Sequence, residues 1–230
     1  MAISIIRSIP FFNGLPEDVL TTISNNARSV DFKAGHTLLK SKETPDYVML
    51  ILSGTVQLNE QAEDGRVIDI SFCGKNDLLA WLSIIDGKAN NQTITTLSQC
   101  SLLIFPIVLM QNLVANNSLL ASRFLMLSAN AIRRLSQARA MLSLPNAFHR
   151  VFVQISMLSA GTDSGSTSLP KQQDIANSVN TSRETVSRAL QMLIKSGVLH
   201  KVGHQIVVKK ADTLKKLAMD GPESIPLAKS

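Results

Sequence analysis

The chain has 230 residues, a formal net charge of +6 and 45% hydrophobic residues, which allows one large domain or two ordinary ones. It contains neither an uninterrupted apolar run of about 18 residues nor a basic start followed by a long apolar stretch, which argues against a membrane span and a secretion signal, so we expect a cytoplasmic protein. Its two cysteines, Cys73 and Cys100, lie far apart and indicate neither a disulfide framework nor a cysteine-based metal cluster.

The charge is unevenly distributed. Residues 1–145 carry 12 basic and 11 acidic side chains, whereas residues 146–230 carry 11 basic and 6 acidic ones. A basic second part beside a neutral first part suggests that only the second part meets a polyanion such as nucleic acid. Ordinary solubility charge is the alternative explanation.

The first half of the chain reads as a short helix followed by many strands. Pro16 is suited to a first helical turn, and short runs rich in Val, Ile, Leu and Thr, separated by turn residues, then fill residues 30–106. The predicted strands are 47–52, 56–59, 67–72 and 100–105, with a hairpin turn at Asp64-Gly65. Such a pattern predicts an antiparallel barrel or jelly roll.

A long helix is predicted from about residue 117 to residue 144. Its apolar stripe recurs at spacings of three and four residues and comprises Leu120, Phe124, Leu127, Ala131, Leu135, Ala138 and Leu142. The stripe could pack on the chain's own barrel, but a helix this long cannot bury it all against one small domain. We therefore favour a two-stranded dimer seam.

After this helix, residues 143–146 contain a proline and predict a hinge. A second helix is predicted over 147–158. The Gly/Ser/Thr-rich residues 160–168 predict a mobile loop, and the residues from Asp220 onward are expected to fray.

Residues 171–196 have the pattern of a helix, a tight turn and a second helix. Ala176 is small, as a helix crossing requires, and Asn180 stands where the turn needs a left-handed residue. Thr181 or Ser182 can cap the second helix. Residues 197–210 then predict a β-hairpin wing around a Gly-containing turn.

The second helix of this motif carries the candidate readers of DNA bases. Arg183 and Arg188 could donate hydrogen bonds to guanine, and Glu184 could accept a hydrogen bond from cytosine. Thr181 and Glu184 also have the spacing of a capping box, so a purely structural role is the alternative for Glu184. A solvated helix face is the alternative for the two arginines. The predicted DNA-binding residues are Lys171, Thr181, Ser182, Arg183, Glu184, Ser187, Arg188, Lys201 and His204.

The run Thr-Ser-Arg-Glu-Thr-Val-Ser-Arg at 181–188, the turn at Gly197 and the wing resemble the cyclic-AMP receptor protein and fumarate–nitrate regulator family. The segments 34–38 and 53–56, with Tyr47, look like that family's sensor barrel. The resemblance implies an α+β protein with a β-barrel sensor at 1–116, a dimerisation helix and hinge at 117–144 and a winged helix-turn-helix at 145–230. It also implies a homodimer that acts on RNA polymerase, inverted TGTGA-like half-sites, and base contacts from Arg183, Glu184 and Arg188.

In cyclic-AMP-binding relatives a glutamate and an arginine hold the sugar and the phosphate. Here those positions are occupied by Trp81 and by Asn91 or Gln92, so we do not expect cyclic AMP to bind in the usual mode. The candidate effector-pocket residues are Leu79, Trp81, Ser83, Asn91, Gln92 and Thr93. Trp81 either fills the space of a nucleotide, which we favour slightly, or stacks on a ligand base, and a ligand-free regulator is a further alternative.

No cofactor is predicted. The N-terminal cysteine cluster of the family's iron–sulfur members is missing, and a haem would need an axial ligand, for which His36 and His149 are the candidates. Cys73 and Cys100 are either redox-active or, more commonly for such residues, buried and structural.

A non-enzymatic transcription regulator is therefore the leading interpretation, because the chain shows no nucleophile–base constellation and no phosphate-cradling glycine loop. The alternatives are a cyclic-nucleotide-type signalling module and an adaptor that acts through protein contacts.

Overall fold

The computed structural model describes residues 3–62, 67–160, 166–167, 169–202 and 205–222. The chain divides into two compact units, one formed by Met1–Glu60 with Cys73–Arg134 and the other by Gln61–Phe72 with Leu135–Ser230. The α+β class is confirmed, since antiparallel sheets dominate the N-terminal half and helices the C-terminal part.

The predicted strands of the N-terminal half are present. The strands are β1 (Arg28–Phe32), β2 (Thr37–Leu39), β3 (Tyr47–Ser53), β4 (Val56–Gln61), β5 (Val67–Cys73), β6 (Leu78–Leu79), β7 (Gln92–Thr96) and β8 (Cys100–Pro106). They form two four-stranded sheets with the orders β1-β8-β3-β6 and β2-β7-β4-β5. The predicted hairpin turn at Asp64-Gly65 lies outside the described residues.

Strand β3 shows why its sequence is a continuous apolar run. Successive side chains of a strand point to opposite faces, and here both faces are covered. Val48 and Leu50 belong to a core that also contains Phe105, whereas Met49 and Ile51 belong to a second core on the other side. All four residues are buried, so no polar alternation is possible.

Short helices complete this unit, namely α1 (Ile3–Ser8), a 3-10 turn at Pro10–Phe12, α2 (Glu17–Asn26), α3 (Leu82–Asp86) and α4 (Ile107–Asn116). The predicted helix after Pro16 is confirmed as α2, with Pro16 as its N-cap. The sequence did not predict α4, whose mainly apolar residues follow directly from β8.

The long helix α5 (Ser118–Leu142) corrects the predicted dimer seam. Leu120 and Phe124 have 0% and 1% of their surface exposed, because they pack in the core of the chain's own N-terminal unit. The Phe124 ring lies edge-on to Phe11, with ring centroids 5.3 Å apart. The seam prediction is therefore wrong at Leu120 and Phe124, and Leu127 is also partly buried against this core.

The C-terminal unit contains α6 (Ala147–Ala160), β9 (Ser166–Thr167), α7 (Gln172–Ser178), α8 (Arg183–Lys195), β10 (Leu199–Val202), β11 (Gln205–Val208) and α9 (Ala211–Asp220). The break at residues 143–146 is confirmed. The predicted mobile loop is wrong at Ala160, which is the last residue of α6, and at Ser166 and Thr167, which pair with Val207 and Ile206 of β11. Residues 161–165 and 168, and the tail from residue 223, lie outside the described residues.

Candidate nucleic-acid interface

The turn between α7 and α8 is held by local backbone geometry. Asn180 has a φ of 51°, the left-handed conformation predicted for it. The chain then returns to α7 through a hydrogen bond from the Thr181 N–H to the Ala176 carbonyl, 2.9 Å long. Ala176 and Ala189 are both fully buried, and their small side chains permit the close packing of α7 on α8.

Ser182 caps α8. Its backbone is extended, and its Oγ accepts a hydrogen bond from the Thr185 N–H at 3.2 Å, which satisfies one of the free donors at the helix start. The predicted alternatives of a Thr181 cap and a Thr181–Glu184 capping box are therefore wrong, because the serine one position later makes the bond. Glu184 is therefore not part of a capping box with Thr181.

The C-terminus of α8 is closed by a Schellman motif. Gly197 has a φ of 68°, its N–H donates to the Ile194 carbonyl at 3.0 Å, and the Val198 N–H donates to the Leu193 carbonyl at 2.9 Å. Together with the Ser182 cap, this motif defines both ends of the helix from short-range contacts.

The buried face of α8 contains Val186, Ala189, Leu190 and Leu193. The opposite face carries Arg183, Glu184 and Arg188 as exposed residues and Ser187 as a half-buried one. At about 100° per residue these four side chains fall within about 140° of the helix circumference, so they share one surface.

Sequence reasoning missed two exposed residues on that same surface. Gln191 lies one turn beyond Ser187, and Lys195 one turn beyond Gln191. The signal was their helical spacing from the proposed readers, and a glutamine side chain can bond adenine in the major groove.

The carboxylate of Glu184 is stabilised in its charged form. Hydrogen bonds from its own backbone N–H and from the Ser182 side chain, together with the neighbouring Arg183 and Arg188, hold the pKa of Glu184 below its ordinary value. The side chain is fully exposed and ionised at neutral pH, so it can act only as a hydrogen-bond acceptor there.

The wing is an antiparallel hairpin of β10 and β11, with Leu199 opposite Val208. Of the predicted DNA-binding residues outside α8, Lys201 is exposed on β10 and Lys171 is exposed at the N-cap of α7. His204 lies outside the described residues.

The six candidate effector-pocket residues differ in accessibility. Leu79 is fully buried in a hydrophobic cluster, and the Ser83 side chain is also buried, so neither lines an open pocket and both are corrected as candidates. Trp81 is half-buried against the core that contains Phe105. Asn91 is exposed, and Gln92 and Thr93 are half-buried on β7.

The histidines considered for haem have other partners. His36 stacks on Phe32, with ring centroids 4.9 Å apart, and His149 Nε2 donates to the Ala218 carbonyl at 2.9 Å. Within the described ranges, no group of three or more His, Cys, Asp or Glu side chains is placed to hold a metal ion.

Cys100 is buried, with its Sγ 3.4 Å from the Thr55 carbonyl oxygen. Burial, and secondarily the charge of Asp77, raises the pKa of Cys73 to about 12, against the opposing effect of Arg134.

No helix in the described part of the chain is long and apolar enough to cross a membrane.

Two protein families match this chain. Residues 29–117 match the family described as Cyclic nucleotide-binding domain, and residues 138–217 match the Crp-like helix-turn-helix domain. A cyclic nucleotide-binding domain followed by a helix-turn-helix domain is the arrangement implied by the resemblance of residues 181–188. The chain belongs to the Crp/Fnr family of transcription regulators.

Relatives of Crp/Fnr type match along nearly the whole chain. The CRP-like cAMP-activated global transcriptional regulator of Mycobacterium tuberculosis is 26% identical over 220 residues, which cover 93% of this chain and 98% of that protein. The cyclic AMP receptor protein of Thermus thermophilus is 25% identical, with the same two coverages. The structure of FixK2 from Bradyrhizobium japonicum has the same fold, with a TM-score of 0.70, 21% identity, and coverage of 89% of this chain and 99% of that one.

Proposed function

We propose that this Crp/Fnr regulator is a cytoplasmic homodimer that binds an inverted-repeat DNA site with TGTGA-like half-sites and contacts RNA polymerase. The observation that carries the proposal is the surface of α8, where Arg183, Glu184 and Arg188 are exposed together on a helix whose core-facing side is fully packed. A helix anchored in this way can enter the major groove without losing its own fold.

Each proposed reader has a chemistry suited to a base edge. Arg183 and Arg188 can each donate two hydrogen bonds to guanine O6 and N7, and the ionised Glu184 can accept from cytosine N4. Ser187 lies between them on the same face. Lys171 and Lys201 would contact phosphate, which adds affinity but little sequence information.

We further propose that the dimer forms along α5 through a shifted stripe, which keeps Leu135 and Leu142 of the seam predicted from periodicity and adds Leu125 and Ile132. Leu125, Ile132, Leu135 and Leu142 are 70%, 66%, 64% and 49% exposed. Their spacings of seven, three and seven residues are those of a coiled-coil seam. Exposure of four large aliphatic side chains in one stripe marks a surface that a partner covers. Here that partner is a second copy of α5.

For the architecture we keep the predicted division into a sensor at 1–116, a dimerisation helix and hinge at 117–144 and a DNA-binding domain at 145–230. The Mycobacterium tuberculosis relative is named as cAMP-activated. In this chain Trp81 stands in place of the carboxylate that would hold a ribose, and Asn91 or Gln92 in place of the guanidinium that would hold a phosphate. We therefore propose that a different effector, or none, controls the sensor.

The DNA-binding proposal is tested by gel shift and fluorescence anisotropy on a 30-base-pair duplex carrying the inverted TGTGA repeat and on a scrambled duplex. Arg183→Ala and Arg188→Ala are each expected to cost about 1–3 kcal/mol on the specific duplex and to relax preference at one base pair. Arg133→Ala, an exposed arginine on α5, is the matched control. Equal losses on both duplexes would reduce the two arginines to phosphate contacts.

The effector proposal is tested by native mass spectrometry of freshly purified protein and by titration with cyclic AMP. We expect no bound nucleotide and no change in DNA affinity on adding cyclic AMP. A co-purifying nucleotide mass would contradict our interpretation of Trp81 and of Asn91 or Gln92.

A further inference from the structure

A half-buried arginine of α6 makes a set of contacts that the sequence did not reveal. Arg150 lies in the first turn of α6, and its described hydrogen bonds all go to backbone carbonyls. Nε donates to Val179 at 2.8 Å and Nη2 to Asn180 at 3.0 Å. Nη1 donates to Leu144 at 2.7 Å and to Pro145 at 3.3 Å. Four of the five N–H donors of the guanidinium are thereby used on the main chain.

These four carbonyls belong to two segments that are far apart in the chain. Leu144 and Pro145 follow the last residue of α5, and Val179 and Asn180 form the turn that follows α7. Carbonyls that lie just beyond a helix end have no hydrogen-bond partner within that helix and need another donor. A permanently charged planar fork such as that of Arg150 can satisfy both segments at once, whereas the single ammonium of lysine cannot span them.

The same turn leads directly into the DNA-reading helix. Asn180, whose carbonyl Arg150 holds, is two residues before Ser182, the N-cap of α8. Arg183, the first proposed base reader, follows at once. Arg150 therefore links the N-terminus of α8 to the end of α5 by hydrogen bonds, in addition to the core packing that Met141 shares with α8.

We propose that Arg150 is a positioning residue for DNA recognition, which holds the start of α8 in register with the end of α5. Arg150 touches no base itself in this role. In a dimer, the distance between the two α8 helices must match the spacing of the half-sites, so Arg150 sets how strictly that spacing is read. This consequence for spacing rests on the homodimer proposed above, whereas the positioning of the turn does not.

The test uses the full-length variants Arg150→Gln and Arg150→Lys, with Arg133→Gln as a control that removes the same charge from an exposed site. Hydrogen–deuterium exchange without DNA is expected to rise about tenfold or more at residues 143–147 and 179–185 in both Arg150 variants, because several charge-assisted hydrogen bonds are lost. Exchange at β10 should stay as in the wild type. Since lysine keeps the charge, its failure to rescue separates a clamp from a charge effect.

The second readout is binding to inverted-repeat duplexes whose half-site spacing is changed by one or two base pairs. Wild type and Arg133→Gln should prefer one spacing by about tenfold or more, and both Arg150 variants should flatten this preference. Unchanged exchange at 179–185, a uniform rise across residues 147–222, or an unaltered spacing profile on reduced affinity would overturn the proposal. If wild type shows no spacing preference, the homodimer proposal fails instead, and the exchange data alone decide the role of Arg150.

Discussion

Replacement of Ile132 by glutamate should separate the proposed dimer into monomers. An aliphatic side chain contributes about 1.5–3 kcal/mol when it is fully buried, and Ile132 is 66% exposed in the single chain. Two-thirds of that contribution, counted once for each copy in a two-fold symmetric dimer, is about 2–4 kcal/mol. The dissociation constant should therefore rise by about 30- to 1,000-fold, and more if the two carboxylates face each other.

The matched control is Met126→Glu. Met126 is 62% exposed on the same helix, but it lies about 100° around the axis from Leu125 and about 120° from Ile132. Sedimentation equilibrium over a hundredfold range of protein concentration measures both variants against the wild type. The shifted seam is refuted if Ile132→Glu dimerises like the wild type, or if Met126→Glu weakens the dimer equally.

Leu127→Glu distinguishes this stripe from the one predicted from periodicity. Because Leu127 packs partly against the core that contains Phe124, the added charge should destabilise the fold of the monomer itself. Thermal unfolding should show a lowered Tm for Leu127→Glu and an unchanged monomer transition for Ile132→Glu. The opposite pattern would place the seam on the Leu127 side of the helix.

Three other measurements test individual parts of the molecule. Ser182→Ala should lower the free energy of unfolding in urea by about 1 kcal/mol, because the α8 cap is lost. The control Ser136→Ala, at an exposed position of α5, should leave it unchanged. Equal stability of the two variants would show that the Ser182 cap does not stabilise the fold. The pKa of the half-buried Cys73 is raised to about 12 and Cys100 is buried, so native protein at neutral pH should react with a thiol reagent much more slowly than protein in urea. Labelling of the native protein at the rate of a free thiol would contradict both the raised pKa of Cys73 and the burial of Cys100. Because the pKa of Glu184 is lowered, its carboxylate stays charged until the pH falls below the usual pKa range of a glutamate. The difference in base preference between wild type and Glu184→Gln should therefore be constant from about pH 5.5 to 8. A loss of that difference near pH 6 would contradict the lowered pKa.

The helix-turn-helix could be predicted from the sequence because its determinants are local. A left-handed Asn180, a capping Ser182 and a terminating Gly197 act within a few residues of their own positions, and the alternation of buried and exposed residues on α8 follows from its period alone. The choice between Thr181 and Ser182 as the cap was not decided by sequence, since both hydroxyls are suitable and only the backbone conformation selects one.

The predicted seam on α5 was wrong at Leu120 and Phe124 for a different reason. Residues 119–127 of that helix are apolar around most of its circumference, with Leu119, Leu125 and Met126 exposed while Leu120 and Phe124 are buried. Periodicity detects that apolar stripes exist, but two stripes that share Leu135 and Leu142 give nearly the same signal. Only the packing of the Phe11 ring and of the rest of the N-terminal core decides which stripe is already covered.

Arg150 shows the limit of sequence reasoning most clearly. An arginine on an amphipathic helix reads as a solvated side chain, and its partners Val179 and Asn180 lie about thirty residues away and contribute only main-chain carbonyls. Carbonyl groups have no signature in a sequence, because every residue carries one. The residue that we propose to align the reading helix is therefore visible only once the fold has brought two helix ends to the same guanidinium.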